Sequence, residues 1–246
     1  MEKTLWLSIE KTKARNLRNP IMVVAVSTSI PQYKPLYSQG RELANFLFRK
    51  LKFEKLATFN SSASPPEVII REEGTASLPS CHVDLTHARR DVLLFSGDGS
   101  PMDDQYQYSR VLLEYARETH AKEIYSIGAR WAENPTTPDS DPVINGFSTD
   151  RVGTAKLEKF GVKLLTEEPA PFFASMIVGL APEFGIRGYK ISVDHGEPSP
   201  HPRSVARMLQ VLSSLTGISV SVDELLARTP PPQVMQRQTG DTTIYQ

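Results

Sequence analysis

The sequence is poor in features that mark several classes of protein. Its 246 residues include one cysteine, Cys81, so no internal disulfide can form, which is typical of a reducing compartment. Basic and acidic residues balance at 28 each, which leaves no net charge to attract nucleic acid or an anionic membrane. Residues 172–181, the most apolar stretch, cover about half a membrane span. We therefore expect a cytoplasmic protein that binds neither nucleic acid nor membranes.

Motifs of common catalytic sites are missing as well. The sequence has no Walker A motif, no G-x-G-x-x-G and no G-x-S-x-G, so it offers neither a phosphate cradle nor a nucleophile elbow. Its five histidines do not have the spacing of zinc ligands. We therefore predict that the protein is not an enzyme and needs no metal ion or cofactor.

Acidic residues nevertheless follow one predicted strand, in the loop SGDGSPMDD. Asp98, Asp103 and Asp104 are candidates for metal ligands or for a general acid and base. The alternative is a glycine-rich turn in which Asp103 and Asp104 cap the next helix, and it is favoured because no partner motif accompanies the acids. Cys81 is similarly a candidate nucleophile, but a lone cysteine at the start of a strand is more often simply buried.

Short apolar runs alternate with helical patterns along most of the chain. This alternation predicts one α/β domain, residues 1–228, with a mostly parallel sheet flanked by helices. The predicted strands are residues 21–27, 67–72, 91–98, 122–129, 143–147, 161–166 and 187–195. The predicted helices are residues 36–51, 103–120, 150–159, 171–185, 202–217 and 221–228.

The last part of the chain, residues 229–246, differs from this domain in composition. It begins with three prolines, and Val234 and Met235 are its only large apolar residues before the tip. Such a segment buries too little surface to offset its ordering entropy, so we predict a disordered tail with a root-mean-square span of roughly 20–25 Å. The tip combines an aliphatic side chain, Ile244, a tyrosine, Tyr245, and the main-chain carboxylate of Gln246. Aromatic rings and carboxylates are common recognition elements.

The tip resembles the hydrophobic–tyrosine–any signal of proteasome activators. The body resembles the proteasome assembly chaperone 2 (PAC2) family in its archaeal form, over about residues 21–228. The resemblance rests on LLFSGDGSP, on YSRVLLEYARETHAKEIYSIGA, and on the amphipathic helix that precedes GISVSVDELL.

The resemblance implies a three-layer architecture like that of nucleoside phosphorylases, without their catalysis. It also implies a homo-oligomer that acts without ATP, as a proteasome activator or assembly chaperone. Ile244, Tyr245 and Gln246 are then the residues that enter pockets between adjacent α-subunits of the 20S proteasome. Several tails on one assembly can raise avidity by about 10²–10⁴-fold.

Two alternatives remain open from the sequence. One is a small-molecule enzyme of nucleoside-phosphorylase-like architecture, acting at the loops that follow Asp98, Gly128 and Asp194. The other is an assembly chaperone that binds free α-subunits and does not activate the finished core particle.

Overall fold

The structure is a computed structural model that describes residues 6–12, 16–27, 39–131, 141–195 and 201–228. The predicted tail, with Ile244, Tyr245 and Gln246, lies outside the described residues. Eleven strands occur in the described ranges. In chain order they are β1 (Leu7–Lys11), β2 (Ile21–Val24), β3 (Glu54–Ser61), β4 (Ile69–Ile70), β5 (Ala76–Ser77), β6 (Cys81–His87), β7 (Asp91–Gly97), β8 (Glu123–Trp131), β9 (Ile144–Ser148), β10 (Lys163–Leu164) and β11 (Arg187–His195).

Six α-helices occur in the same ranges. They are α1 (Gln39–Lys50), α2 (Gln105–Glu118), α3 (Arg151–Lys159), α4 (Phe173–Leu180), α5 (Pro202–Thr216) and α6 (Asp223–Ala227). Each corresponds to a helix that the sequence predicts. In α2, Tyr108, Leu112 and Tyr115 are buried and Val111 is partly buried against the same core.

Nine of the strands form one sheet in the order β1-β3-β6-β7-β2-β8-β11-β9-β10. Its centre, β7-β2-β8-β11, is parallel throughout. The β1-β3-β6-β7 side is antiparallel, while β9 runs antiparallel to β11 and parallel to β10. The two remaining strands, β4 and β5, form a separate antiparallel ribbon. The carboxyl ends of the four central strands therefore meet at one edge of the sheet.

Helices cover both faces of the sheet, and each face has its own apolar core. Residues of α1, α3, α5 and α6 belong to one core, and residues of α2 and α4 belong to the other. Strand β2 contributes side chains to both cores, because Ile21 and Val23 face the first core while Met22 and Val24 face the second. The predicted α/β class and three-layer arrangement are confirmed.

Most of the strands that the sequence prediction missed lie on the antiparallel side of the sheet. β1, β3 and β6 were not predicted, and the predicted strand at residues 67–72 is reduced to the two residues of β4. In β6, alternate residues face the second core, whereas His82, Asp84 and Thr86 face the other way. Such strands depend on pairing with remote parts of the chain, which a local pattern does not contain.

One predicted helix cap is wrong. Asp104 precedes α2 in a left-handed conformation (φ 46°), and its side chain makes no capping hydrogen bond. An aspartate cap is present on a different helix, α3. There the Oδ1 of Asp150 accepts a hydrogen bond of 2.6 Å from the Gly153 amide.

Candidate functional site

The first candidate carboxylate, Asp98, is held by an arginine. Arg71 donates from both terminal nitrogens, at 2.7 and 3.2 Å, and the Ser80 amide donates a third bond at 3.1 Å. Partial burial acts to raise the pKa of Asp98, but these bonds outweigh it and lower the pKa below its ordinary value. Asp103 and Asp104 are exposed and are not among the partners of Asp98. The loop is therefore arranged to fix Asp98 as a carboxylate that orders a turn.

Asp194, which precedes one of the loops named for the enzyme alternative and lies near the carboxyl end of β11, is also paired with an arginine. The Arg130 Nε donates to Asp194 at 2.7 Å and a second nitrogen donates at 3.1 Å. The remaining terminal nitrogen of Arg130 binds Glu168 at 2.9 and 3.1 Å. Arg130 thus binds both Asp194 and Glu168 and fixes the two carboxylates in position.

Cys81, His82 and His87 lie on the same strand, β6, but have different partners. Cys81 is buried, its thiol donates to the Gly99 carbonyl at 3.2 Å, and burial raises its pKa to about 12. His82 lies 3.2 Å from Asp84, and the His87 Nδ1 lies 2.8 Å from Asp91. His201 precedes α5, and the described part of the chain brings no three potential metal ligands together. The prediction that Cys81 is buried is confirmed.

The base of the predicted tail is joined firmly to the domain. Gly217 ends α5 in a left-handed conformation (φ 80°), which turns the chain towards α6. Leu225 of α6 is buried, and Glu224 forms an ion pair of 2.6 Å with Lys50 at the end of α1. Glu224 also pairs with Arg228, the last described residue. Helix α6, from which the predicted tail starts, is therefore held on the domain by one buried leucine and one ion pair to α1.

A cavity of about 290 Å³ opens beside the carboxyl half of β8 and β11. Its floor includes Lys190 and Ser192, and its walls are mostly apolar. The sequence prediction missed Lys190, although a lysine inside a strand predicted to be buried on both faces, RGYKISVDH, is a usable signal. The residues predicted for proteasome binding, Ile244, Tyr245 and Gln246, lie outside the described residues.

Comparison with known proteins places the chain in a family. The model of the PAC2 family matches residues 40–229, which is well over half of the sequence. The chain belongs to the PAC2 family. A search of curated proteins found no match.

Solved structures with the PAC2 fold cover most of this chain. The archaeal proteasome activator PbaB of Pyrococcus furiosus is 17% identical, with a TM-score of 0.76 over 91% of this chain and 94% of its own. PbaA of the same organism, a homologue of proteasome-assembly chaperone, is 20% identical, with a TM-score of 0.70 over 90% and 86%. A proteasome-assembly chaperone homologue of Mycobacterium tuberculosis is 15% identical, with a TM-score of 0.70 over 85% and 91%. At these identities the similarity establishes the fold.

The helices give no sign of a membrane-spanning segment. Within the ranges that the structure describes, none is both long and apolar enough to cross a bilayer.

Proposed function

We propose that this PAC2-family protein is a homo-oligomeric proteasome factor that acts without ATP and without catalysis. In this proposal Ile244, Tyr245 and Gln246 enter pockets between adjacent α-subunits of the 20S core and open its gate. The observation that carries the proposal is a hydrophobic–tyrosine–any sequence on a chain whose body belongs to the PAC2 family. Two structural neighbours with this fold, PbaB and PbaA, are described as a proteasome activator and a homologue of proteasome-assembly chaperone.

The fixed base of the tail supports this role. Because Leu225 and the Lys50–Glu224 ion pair hold α6 on the domain, each predicted tether starts from a defined point. The predicted span of roughly 20–25 Å allows the tip to reach a neighbouring particle while the domain stays outside the pocket.

An exposed apolar surface supports assembly of several copies. Val68, Ile70 and Leu78 lie on or beside the β4–β5 ribbon and are 55%, 67% and 71% exposed. Large apolar side chains clustered on a surface usually mark an interaction site. We therefore propose that the ribbon contacts another copy of the chain, which would place several tails on one particle.

The proposed docking is tested with Tyr245→Ala in the full chain, measured without nucleotide by co-sedimentation with a matching 20S core and by peptidase stimulation. Removing a tyrosine anchor weakens a contact by about 2 kcal/mol, and several tails multiply the loss, so we expect binding to fall at least about thirtyfold. Tyr245→Phe keeps the ring and is expected to retain most binding. Thr242→Ala, just before the signal, is the matched control. Undiminished binding of Tyr245→Ala would contradict the proposal.

The assembly-chaperone alternative differs in the state of the partner. It predicts binding to free α-subunits and none to the finished core, whereas the activator predicts binding to the core. The wild type and Tyr245→Ala are each incubated with free α-subunits and, separately, with the finished core. The partner that the wild type binds and the variant does not distinguishes the two hypotheses.

A further inference from the structure

One face of β8, β9 and β11 carries buried polar side chains at positions where a covered sheet normally carries apolar ones. Ser126 is paired with Lys190 across β8 and β11, and Ser192 is paired with Asn145 across β11 and β9. Their exposed fractions are 0% for Ser126, 1% for Asn145, 6% for Lys190 and 2% for Ser192. Helix α4 packs against β8 and β11 from this side. Four buried polar side chains thus lie together on one face of these strands.

Lys190 is the charged member of this group, and its amine lies against the sheet. An added Cβ at Gly128 would lie 2.7 Å from the Lys190 Nζ, so the glycine leaves the space that the amine occupies. Among the described residues no hydrogen bond or ion pair is made by this amine. The other charged groups that line the cavity, Arg130 and Glu168, are paired with each other, and Arg130 also binds Asp194. Burial lowers the pKa of Lys190 to about 7.

The neighbouring polar groups also lack partners. Neither the Ser126 hydroxyl nor the Asn145 side-chain amide makes a hydrogen bond within the described part of the structure. The Ser192 hydroxyl makes only a long bond, 3.4 Å, to the Asn145 carbonyl. Buried polar groups are nearly always hydrogen-bonded, so this face of the sheet is short of partners, and Lys190 and Ser192 are its members that line the cavity.

The cavity of about 290 Å³ leads from the surface to Lys190 and Ser192. Its size lies near the lower end of the range for small-molecule sites. At one side it meets the first turn of α4, whose amides favour a negative charge. The apolar walls are formed by Ala129, Phe147, Leu165, Ala170, Phe172 and Ala174.

We propose that this cavity binds a small monocarboxylic acid with an apolar body. The carboxylate accepts hydrogen bonds from the Lys190 amine and the Ser192 hydroxyl, and the body packs against the walls around Phe147. A phosphate is a poorer fit, because the single arginine at the rim, Arg130, is already bound by two carboxylates. This site is independent of the tail and of the proteasome proposal.

The ligand class is tested by calorimetry on the full chain with 3-phenylpropionate and hexanoate. We expect both acids to bind, and the neutral 3-phenylpropanamide to bind at least about tenfold more weakly, because it lacks the charge-assisted hydrogen bond. At pH 8 most Lys190 amines are neutral, so carboxylate binding is expected to take up close to one proton. Titration in two buffers of different ionisation enthalpy measures this uptake. No heat and no thermal stabilisation with either acid would overturn the proposal.

The site is tested with Lys190→Met, which keeps the length and apolar stem of the side chain. We expect at least about tenfold weaker acid binding and no proton uptake, while binding of the neutral amide persists. Lys163→Met, at an exposed lysine of β10, is the matched control and is expected to bind like the wild type. Lys190→Gln is a second variant that keeps a polar group at the floor of the cavity. Equal acid binding by Lys190→Met and the wild type would show that the amine is not the recognition group.

Discussion

Two lysines lie on opposite faces of the strand pair β8 and β11, and they have different surroundings. Lys156 reaches one face from helix α3, and Lys190 of β11 lies on the other. Lys156 reaches Glu123 at 2.9 Å and the Tyr125 hydroxyl at 2.6 Å. It also lies 5.0 Å from the centre of the Tyr189 ring, and the Tyr125 and Tyr189 rings stack at 4.6 Å. Lys190 has no such partner among the described residues.

The difference separates a charge that has partners within the fold from one that has none among the described residues. Glu123 is matched by two cations, Lys156 and Arg90, at 2.9 and 2.7 Å, and it accepts a further bond from the Tyr189 hydroxyl at 3.1 Å. A network in which every member is satisfied stabilises its surroundings. An unpaired buried amine destabilises them, and the carboxylate proposed for the cavity would supply the partner that Lys190 lacks.

The largest expected effect concerns the pH dependence of stability at Lys190. Its pKa is about 7 in the folded protein and 10.5 in the unfolded chain, so the unfolded chain binds more protons between these values. The penalty for burying the charge is therefore full below pH 7 and disappears as the pH rises to 10.5. We expect Lys190→Met to be more stable than the wild type near pH 7, with an advantage that shrinks by about 4 kcal/mol towards pH 10.5. Urea unfolding of both proteins across this pH range measures the difference in their free energies of unfolding. A difference that stays constant with pH would remove the contrast between Lys190 and Lys156.

The next effect, of opposite sign, is expected at Glu123. Glu123→Gln leaves Lys156 and Arg90 facing each other without a counter-charge, and all three side chains are partly exposed. We expect the free energy of unfolding to fall by about 2 kcal/mol at pH 7, less than for a fully buried pair because solvent screens the charges. Glu158→Gln, on the same side of the sheet in α3, is a control with little expected change. A loss as small as that of the control would mean that the network does not stabilise the strands.

The smallest effect is expected at Gly128. Gly128→Ala places a methyl group 2.7 Å from the Lys190 Nζ and forces the amine to move, which should lower stability by about 1 kcal/mol. In a Lys190→Ala background the obstacle is gone, so the same substitution should have little effect. A double-mutant cycle by thermal unfolding measures the coupling, and additive effects would show that Gly128 and Lys190 do not interact.

The parallel centre of the fold was predictable from the sequence, and the antiparallel side was not. The apolar runs around Ile21–Val24 and Asp91–Gly97 predict central strands from composition alone. In the structure these strands are almost wholly buried. β3 mixes Leu56 and Phe59 with exposed charged residues, and it exists because β1 and β6 pair with it. Those partners are distant in the chain, which is why a local pattern misses the strand.

The two candidate sites also differ in whether the sequence could predict them. The family, and with it the proposed role of Tyr245, followed from motifs that can be read along the chain. The Lys190 cavity did not, because its enclosure depends on α4 and on segment 165–172 folding over β11. A lysine and a glycine that are ordinary in the sequence, Lys190 and Gly128, become a site only when their strands are neighbours.

The central claim is that Tyr245 connects this PAC2 domain to the proteasome. The most direct measurement is co-sedimentation of the full chain with a matching 20S core, without nucleotide, for the wild type, Tyr245→Ala and Thr242→Ala. We expect the wild type and Thr242→Ala to bind and stimulate the core, and Tyr245→Ala to remain folded and to do neither. Equal binding by all three proteins, or binding by none, would contradict it.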